Sequence, residues 1–255
     1  MNFIISAITD IGNTKSTNQD SVGGRVFTTH MGKMVFVVLS DGMGGLAKGE
    51  VASGTVVNDF MKWSETRLPI LCREGITDDK IVAEWTDLVT VENEKIKNYG
   101  RKCGINLGTT IVAALFSKER YYIINVGDSR AYELFKDVKV ITKDQTFVER
   151  EVELGHLTRE QADVDERRSI LLQCIGASDN VYPDFFFGQT VRNAVYMFCS
   201  DGFRHEITEQ EIFEKLQPAV MLSEESMKNN MNQLIMLNKQ RLERDNITVL
   251  TVRTY

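Results

Sequence analysis

The sequence predicts an α+β domain made of antiparallel strands with amphipathic helices outside them, and three observations carry that expectation. Four β-rich runs follow one another between residues 109 and 142, joined only by Ser-Lys-Glu, Gly-Asp-Ser and Lys-Asp, and joins so short favour antiparallel neighbours. Apolar residues at three- and four-residue steps mark helices, most clearly over 78–98. A strand running into Ser-Asp-Gly occurs twice, at Ser40-Asp41-Gly42 and at Ser200-Asp201-Gly202, each time ahead of a helical pattern.

In chain order, residues 2–9 form a first strand, and 10–20 a polar loop. The β-branched and aromatic run from Val35 to Leu39 has the composition of a buried strand and is expected to stop at Ser40, which puts Asp41 at a strand's end. Gly42, Gly44 and Gly45 permit backbone conformations that a Cβ forbids and allow peptide carbonyls to turn toward a ligand. Val51, Val56 and Phe60 share a helical face over 49–61. The next helix, over 78–98, carries Ile81, Trp85, Leu88, Val89, Glu92 and Ile96 on one stripe, with Thr77 as its N-cap. Runs over 109–116, 120–126, 130–135 and 138–142 read as a β-meander. Residues 145–168 are charged and helix-prone, with a capping box made by Thr158 and Gln161, and read as an inserted flap of two short helices. A strand over 194–200, a helix capped by Thr208 and Glu211, a last helix marked by Met227, Met231, Leu234, Ile235 and Leu242, and a closing strand over 247–253 complete the chain. No repeat or linker divides it, so one domain over 1–255 is expected.

Composition narrows the function. A hydrophobic content of 42% in 255 residues supports a large core. The formal charge of −6 disfavours a nucleic-acid or anionic-membrane surface and suits cation binding. No apolar run approaches the roughly 20 residues of a membrane span, and the first residues lack the pattern of a signal peptide. Four scattered cysteines (Cys72, Cys103, Cys174, Cys199) and three histidines indicate neither a disulfide framework nor a zinc cluster, which points to a reducing cytoplasm.

Acids beside strand ends, each followed by Gly, Ser or Asn, are Asp41, Asp128, Asp201 and Asp245. If the strands form sheets packed face to face, those ends meet at one rim. Crowded carboxylates either hold protons or bind cations, and with few His or Cys residues near them the fitting cations are hard ones, Mg²⁺ or Mn²⁺. Spacing alone leaves open whether such metals serve catalysis.

The ordered motifs TDIGNTKSTNQDS, LSDGMGG, LGTT, NVGDSRAYEL, ITKDQTFVEREVELGHLT, QCIGAS, CSDGF and RDNITVLTV resemble the metal-dependent Ser/Thr protein phosphatases of type 2C, particularly their bacterial single-domain members. The resemblance implies a four-layer α-β-β-α sandwich of two antiparallel sheets flanked by helices, with two Mn²⁺ or Mg²⁺ ions at one edge and a third, weaker one beside the flap. It implies that Asp41 bridges both metals, that the Gly42 carbonyl binds the second, that Asp201 and Asp245 complete the first, and that Asp128 with Asp201 holds the third. Asp20 corresponds to an acid contacting water on the metals, and Asn246 to a neighbour that fixes Asp245. It further implies hydrolysis of phosphoserine and phosphothreonine on proteins by a water bridging the two ions, opposite a Ser/Thr kinase, in a cytoplasmic monomer that binds neither nucleic acid nor membrane.

Three positions depart from the family's pattern. Lys15 stands where an Arg normally holds a phosphate oxygen; it keeps the charge but loses the bidentate fork, so weaker phosphate binding is expected. Gln19 replaces a frequent Glu, removing one acidic contact. Met43 stands where eukaryotic relatives carry a His that protonates the leaving group, and His156 and His205 are stand-ins by residue type only. Two alternatives stay open on these grounds: a two-metal phosphodiesterase, and a pseudophosphatase acting as a binding or signalling module.

Overall fold

The computed structural model describes residues 1–43 and 48–255; Gly44 and Gly45, grouped above with Gly42, lie outside the described residues. Strands β1 (Phe3–Asp10), β2 (Asp20–Thr29) and β3 (Gly32–Met43) come first, then helices α1 (Gly49–Thr66), α2 (Leu68–Glu74) and α3 (Asp78–Cys103). The middle of the chain holds β4 (Gly108–Thr109), β5 (Ile111–Phe116), β6 (Arg120–Val126), β7 (Arg130–Leu134) and β8 (Val138–Val140). The short helices α4 (Phe147–Glu153) and α5 (Arg159–Asp163) precede β9 (Asp184–Gln189) and β10 (Val195–Cys199). Helices α6 (Asp201–Arg204), α7 (Glu209–Leu216) and α8 (Glu224–Gln240) lead to the last strand, β11 (Ile247–Thr254).

Two antiparallel sheets result, one in the order β1-β11-β10-β7-β8, the other β2-β3-β5-β6-β9 with β4 on the end of β3. Alternation along β3 explains how they stack. Val35, Val37 and Leu39 enter the core between the sheets with Phe116, Tyr196 and Phe198, while Met34, Phe36 and Val38 face α1 and α3. A strand covered on both faces reads as a continuous apolar run, which is why it was plain in the sequence. Phe36, Phe60, Trp63 and Trp85 interlock under the helices with ring centroids 5.4–6.3 Å apart, a geometry that adds about 0.5–1.5 kcal/mol per pair beyond burial. Met227, Met231, Leu234 and Ile235 of α8 pack with Ile212 of α7 on the other sheet. The layers are therefore helix, sheet, sheet, helix, as the α+β sandwich expectation required.

Four sequence expectations need correction. First, β3 does not stop at Ser40; Asp41 and Gly42 lie inside it, paired to Asp20 and Thr109 respectively. Second, the meander breaks at Gly127-Asp128-Ser129: β6 pairs with β5 and β9, whereas β7 pairs with β8 and β10. That short join crosses between sheets, so Asp128 sits at the rim of both. Third, β2 and β9 arise from stretches assigned no strand. The two glycines and polar residues of β2 break its apolar pattern, and its pairing with β3 supplies what local composition lacks. Fourth, α2 follows α1 after a break at Arg67, with Pro69 in its first turn, where a proline's missing N–H costs nothing. The caps fall as expected: Thr77 accepts from the Lys80 N–H, and Thr158 and Thr208 close capping boxes with Gln161 and Glu211.

Candidate metal centre

Asp41 is held by sheet backbone and two threonines. Its N–H donates to Thr110 Oγ1 at 3.0 Å, and its carbonyl accepts from the Thr110 N–H at 2.9 Å and from Thr109 Oγ1 at 2.8 Å. Thr110 Oγ1 also shares a hydrogen bond with Ser129 Oγ at 2.7 Å, which ties the Asp128 turn to Asp41. The β2–β3 register sets Asp20 directly opposite Asp41. Gly42 is required here because an added Cβ would lie 2.3 Å from the Gly49 carbonyl oxygen and 2.5 Å from that of Gln19. With its amide turned to match its neighbours, Gln19 bridges the same gap, its nitrogen then donating to the Gly42 carbonyl at 3.3 Å and its oxygen accepting from the Gly49 N–H at 3.0 Å.

Asp201 is reached differently, as the first residue of α6 after β10. Ser200 Oγ donates to Asp20 Oδ2 at 2.9 Å and so connects the two sheets behind the site. A methyl on Gly202 would meet the Asn246 carbonyl at 2.2 Å and Asp245 Cβ at 3.2 Å, so its absence lets the Asp201 and Asp245 segments lie side by side. Asn246 donates its backbone N–H to Asp245 Oδ1 at 2.8 Å. Its side chain accepts the Gln19 N–H at 2.8 Å and donates to the carbonyls of Ile11 and Thr17 at 3.0 and 3.2 Å, which pins the polar loop against the site.

Asp128 lies where Arg204 approaches, with Nη2 3.2 Å from the Asp128 carbonyl and 3.2 Å from Asp144 Oδ2. Arg130 grips Asp144 with two hydrogen bonds of 2.8 Å. These arginines hold Asp144 below the usual carboxylate range despite its burial.

A cleft of ≈ 300 Å³ gathers the site: Asp41, Asp128, Asp201, Asp245, Lys15 and Gln19 line it, together with Gly42, Met43, Thr110 and, from beyond the flap helices, Ser169 and Leu171. Burial, then Asp20, Asp201, Asp128 and Asp245, push Asp41 well above its ordinary range. Burial raises Asp20 and Asp128 to about 7, with Asp201 adding to both. Lys15 Nζ reaches Asp245 Oδ1 at 2.8 Å; the field of Asp245, Asp41 and Asp201 outweighs partial burial and raises it. Lys15 is thus in the cleft, paired with a carboxylate. His156 contacts Glu151 at 2.9 Å out on α4 and its following turn, away from these residues. His205 lies 3.5 Å from Asp201 Oδ2 and 3.4 Å from Glu243 Oε2; burial pulls its pKa down, but Glu243 and Asp201 leave it raised.

These residues fit hard divalent cations. All the donors are oxygens, Asp20 Oδ1 and Asp201 Oδ1 are buried with no hydrogen-bond partner, and an ammonium already satisfies Asp245. Among the described residues no three such groups close on one point as a finished cage would, so the fit rests on donor type and convergence on one cleft. Three contributors escaped the sequence reading. Thr110 stood in a recognised motif, LGTT, without a role; Asp144 is followed by Gln, outside the Gly/Ser/Asn pattern; and Glu243 precedes Asp245 by two residues with no local signal.

An acidic cleft whose candidate metal donors are all oxygens, at one rim of an α-β-β-α sandwich, defines the class as a helix-flanked double sheet with a candidate divalent-cation site. The protein phosphatase 2C family model matches residues 12–236, and the chain belongs to that family. It is 32% identical over 249 residues to the serine/threonine phosphatase stp of Listeria innocua, covering 96% of this chain and 93% of that one. It is 30% identical to protein phosphatase PhpP of Streptococcus pneumoniae over 82% of each chain. The structure of a serine/threonine phosphatase from S. agalactiae superposes with a TM-score of 0.85 at 29% identity, over 100% of both chains. The catalytic domain of the phosphatase PstP, solved in complex with two manganese ions, superposes with a TM-score of 0.76 at 28% identity, over 98% of this chain and 97% of that one.

Proposed function

We propose that the protein hydrolyses phosphoserine and phosphothreonine on proteins, using two Mn²⁺ or Mg²⁺ ions held by Asp41, the Gly42 carbonyl, Asp201 and Asp245, with a third near Asp128. The observation that carries this reading is the crowding around Asp41, whose carboxylate is raised by burial and by four other Asp residues in a member of the phosphatase 2C family. Such an arrangement repels itself unless protons or cations offset it, and in this family the fitting partners are divalent cations. When bound, divalent cations supply Lewis acidity that acidifies water and offsets charge developing on the phosphoryl group. The chain's own residues do the rest. Asp20, fixed by Ser200 directly opposite Asp41, would orient water beside the bound ions; Asn246 holds Asp245 and the loop that carries Lys15. Lys15, released from Asp245, neutralises a phosphate oxygen as a point charge. Met43 in the cleft supplies no proton, so the leaving alkoxide takes one from water at the site or from another residue. A cytoplasmic monomer opposing a Ser/Thr kinase is the setting we infer.

Phosphate release from a phosphothreonine peptide tests the reading. Activity with Mn²⁺ should vanish in EDTA and fall by at least about a thousandfold in Asp41→Asn and Asp201→Asn, the scale of losing a Lewis-acid site worth several kcal/mol. Activity that survives both treatments, or faster cleavage of a phosphodiester, would replace this function with another.

A further inference from the structure

His205 and Glu243 are titratable side chains beside Asp201 and Asp245 for which the proposed chemistry has no use; Glu243 is buried at 5% exposed and the His205 side chain half-buried at 21%. His205 directly follows α6, four residues after Asp201. One helical turn therefore returns its ring to the Asp201 carboxylate, with Nε2 3.5 Å from Oδ2. Its other nitrogen, Nδ1, lies 3.4 Å from Glu243 Oε2. The second oxygen of Glu243 is also engaged, since Oε1 accepts the backbone N–H groups of Arg244 at 2.7 Å and Asp245 at 2.8 Å.

The backbone is shaped for this contact. Leu242, a branched residue, sits at φ 68°, in the left-handed region that costs a Cβ-bearing residue about 1 kcal/mol or more. That reversal ends α8, with the Glu243 N–H returning to the Asn238 carbonyl at 3.0 Å, and it leaves Leu242 75% exposed while Glu243 turns inward. A strained residue persists only where its surroundings over-determine it, and here they deliver a carboxylate to His205.

Asp201 and Asp245 belong to segments 44 positions apart (245 less 201), joined here by a continuous bridge of carboxylate, imidazole, carboxylate and backbone. Engagement of Asp201 Oδ2 by His205 leaves Oδ1, buried and without a partner, for the cleft. Resting on the metal reading of Asp201 and Asp245, we propose that His205 and Glu243 are positioning residues that fix the Asp201 side chain against the Asp245 backbone and so set the affinity of the cleft for a divalent cation. An aspartate left to its own rotamers, beside like charges, must be ordered at the moment of binding; one already held avoids that cost.

Mn²⁺ binding read by the paramagnetic resonance of the free ion, without substrate, tests this apart from turnover. His205→Ala and Glu243→Ala should each weaken Mn²⁺ binding about tenfold or more, the usual scale for residues that orient a ligand. The double variant should bind no worse than the weaker single variant, because both cut one bridge. His205→Gln, which keeps a donor toward Asp201, should recover part of the loss, and both His205 single variants should melt within a few degrees of the parent in EDTA. Single variants that bind like the parent, or losses that multiply in the double variant, overturn the bridge alone. A parent chain that takes up no Mn²⁺ overturns the metal reading and the bridge with it.

Discussion

The tripeptide Ser-Asp-Gly occurs at residues 40–42 and at 200–202, and the chain uses it in two unlike ways. At the first, the strand continues and Asp41 is one more sheet residue, its backbone bonded to Thr109 and Thr110 and its side chain set by register opposite Asp20. At the second, the strand ends and Asp201 opens a helix, its side chain steered by His205 one turn on and by the Asp245 segment alongside. The first carboxylate is placed by hydrogen bonds of a ladder, the second by packing of three separate segments. The same letters therefore set the same acid at the same rim through different forces, and the two should fail differently.

The largest contrast is between activity and folding. Asp41→Asn should abolish peptide dephosphorylation and Mn²⁺ uptake, yet in EDTA it should unfold at higher urea than the parent, by about 1–2 kcal/mol. It relieves a buried acid crowded by Asp20, Asp128, Asp201 and Asp245, and functional sites hold such strain at a cost in stability. Asp201→Asn should gain less, because His205 already offsets Asp201. Equal gains would mean that the two positions are held alike.

The two glycines come next. Gly42→Ala and Gly202→Ala each drive a methyl into backbone oxygens that cannot rotate away, at 2.3 and 2.2 Å. Both should lose about 3 kcal/mol or more in urea unfolding. Gly202→Ala separates Asp201 from Asp245, so it should also lose Mn²⁺ affinity in whatever fraction stays folded; a loss of stability with unchanged affinity would deny that close approach its role.

Thr110→Val isolates the ladder. It removes the acceptor of the Asp41 N–H and the partner of Ser129 Oγ while preserving shape. Leaving buried groups unpaired costs about 1–3 kcal/mol. Thermal melting should fall accordingly, and Mn²⁺ affinity with it, because Asp41 and the Asp128 turn lose their shared anchor.

Much of this was legible in the residues. Strands buried on both faces, such as β3 and β5, show as unbroken apolar runs, and helix starts show through the side chains that cap them. The acids stood out because each lies beside an apolar run and is followed by Gly, Ser or Asn. What stayed hidden depends on partners distant in sequence. β2 is a strand only because β3 lies beside it, and Gly127-Asp128-Ser129 looks like a hairpin until β9 takes the place beside β6. The anchors of the site share that property: Thr110 matters through Asp41, Asn246 through residues 11–19, and Glu243 through His205, none of which leaves a periodic trace.

A crowded acid pair remote from the cleft supplies the reference for Asp41. Glu92 of α3 is 1% exposed and packs toward Asp59 of α1, with Lys95 bonded to Asp59 and 3.4 Å from Glu92 Oε1. Its Oε2 has no partner among the described residues unless the carboxyl is protonated and donates to Asp59. Burial first, then Asp59, raise Glu92 to about 7, Lys95 pulling the other way. A carboxyl that keeps its proton longer when folded contributes stability fully present below its unfolded pKa of about 4.5 and lost as pH rises to about 7. Glu92→Gln should therefore match the parent near pH 4.5 and exceed it by up to about 3 kcal/mol at pH 8, read as the difference between urea midpoints of variant and parent at each pH. Mn²⁺ should leave that difference untouched, whereas it should reverse the advantage of Asp41→Asn. A Glu92→Gln advantage that also reverses with Mn²⁺ would mean that the two acid clusters are coupled through α1, and Asp41 could then no longer be treated as crowded by its own cleft alone.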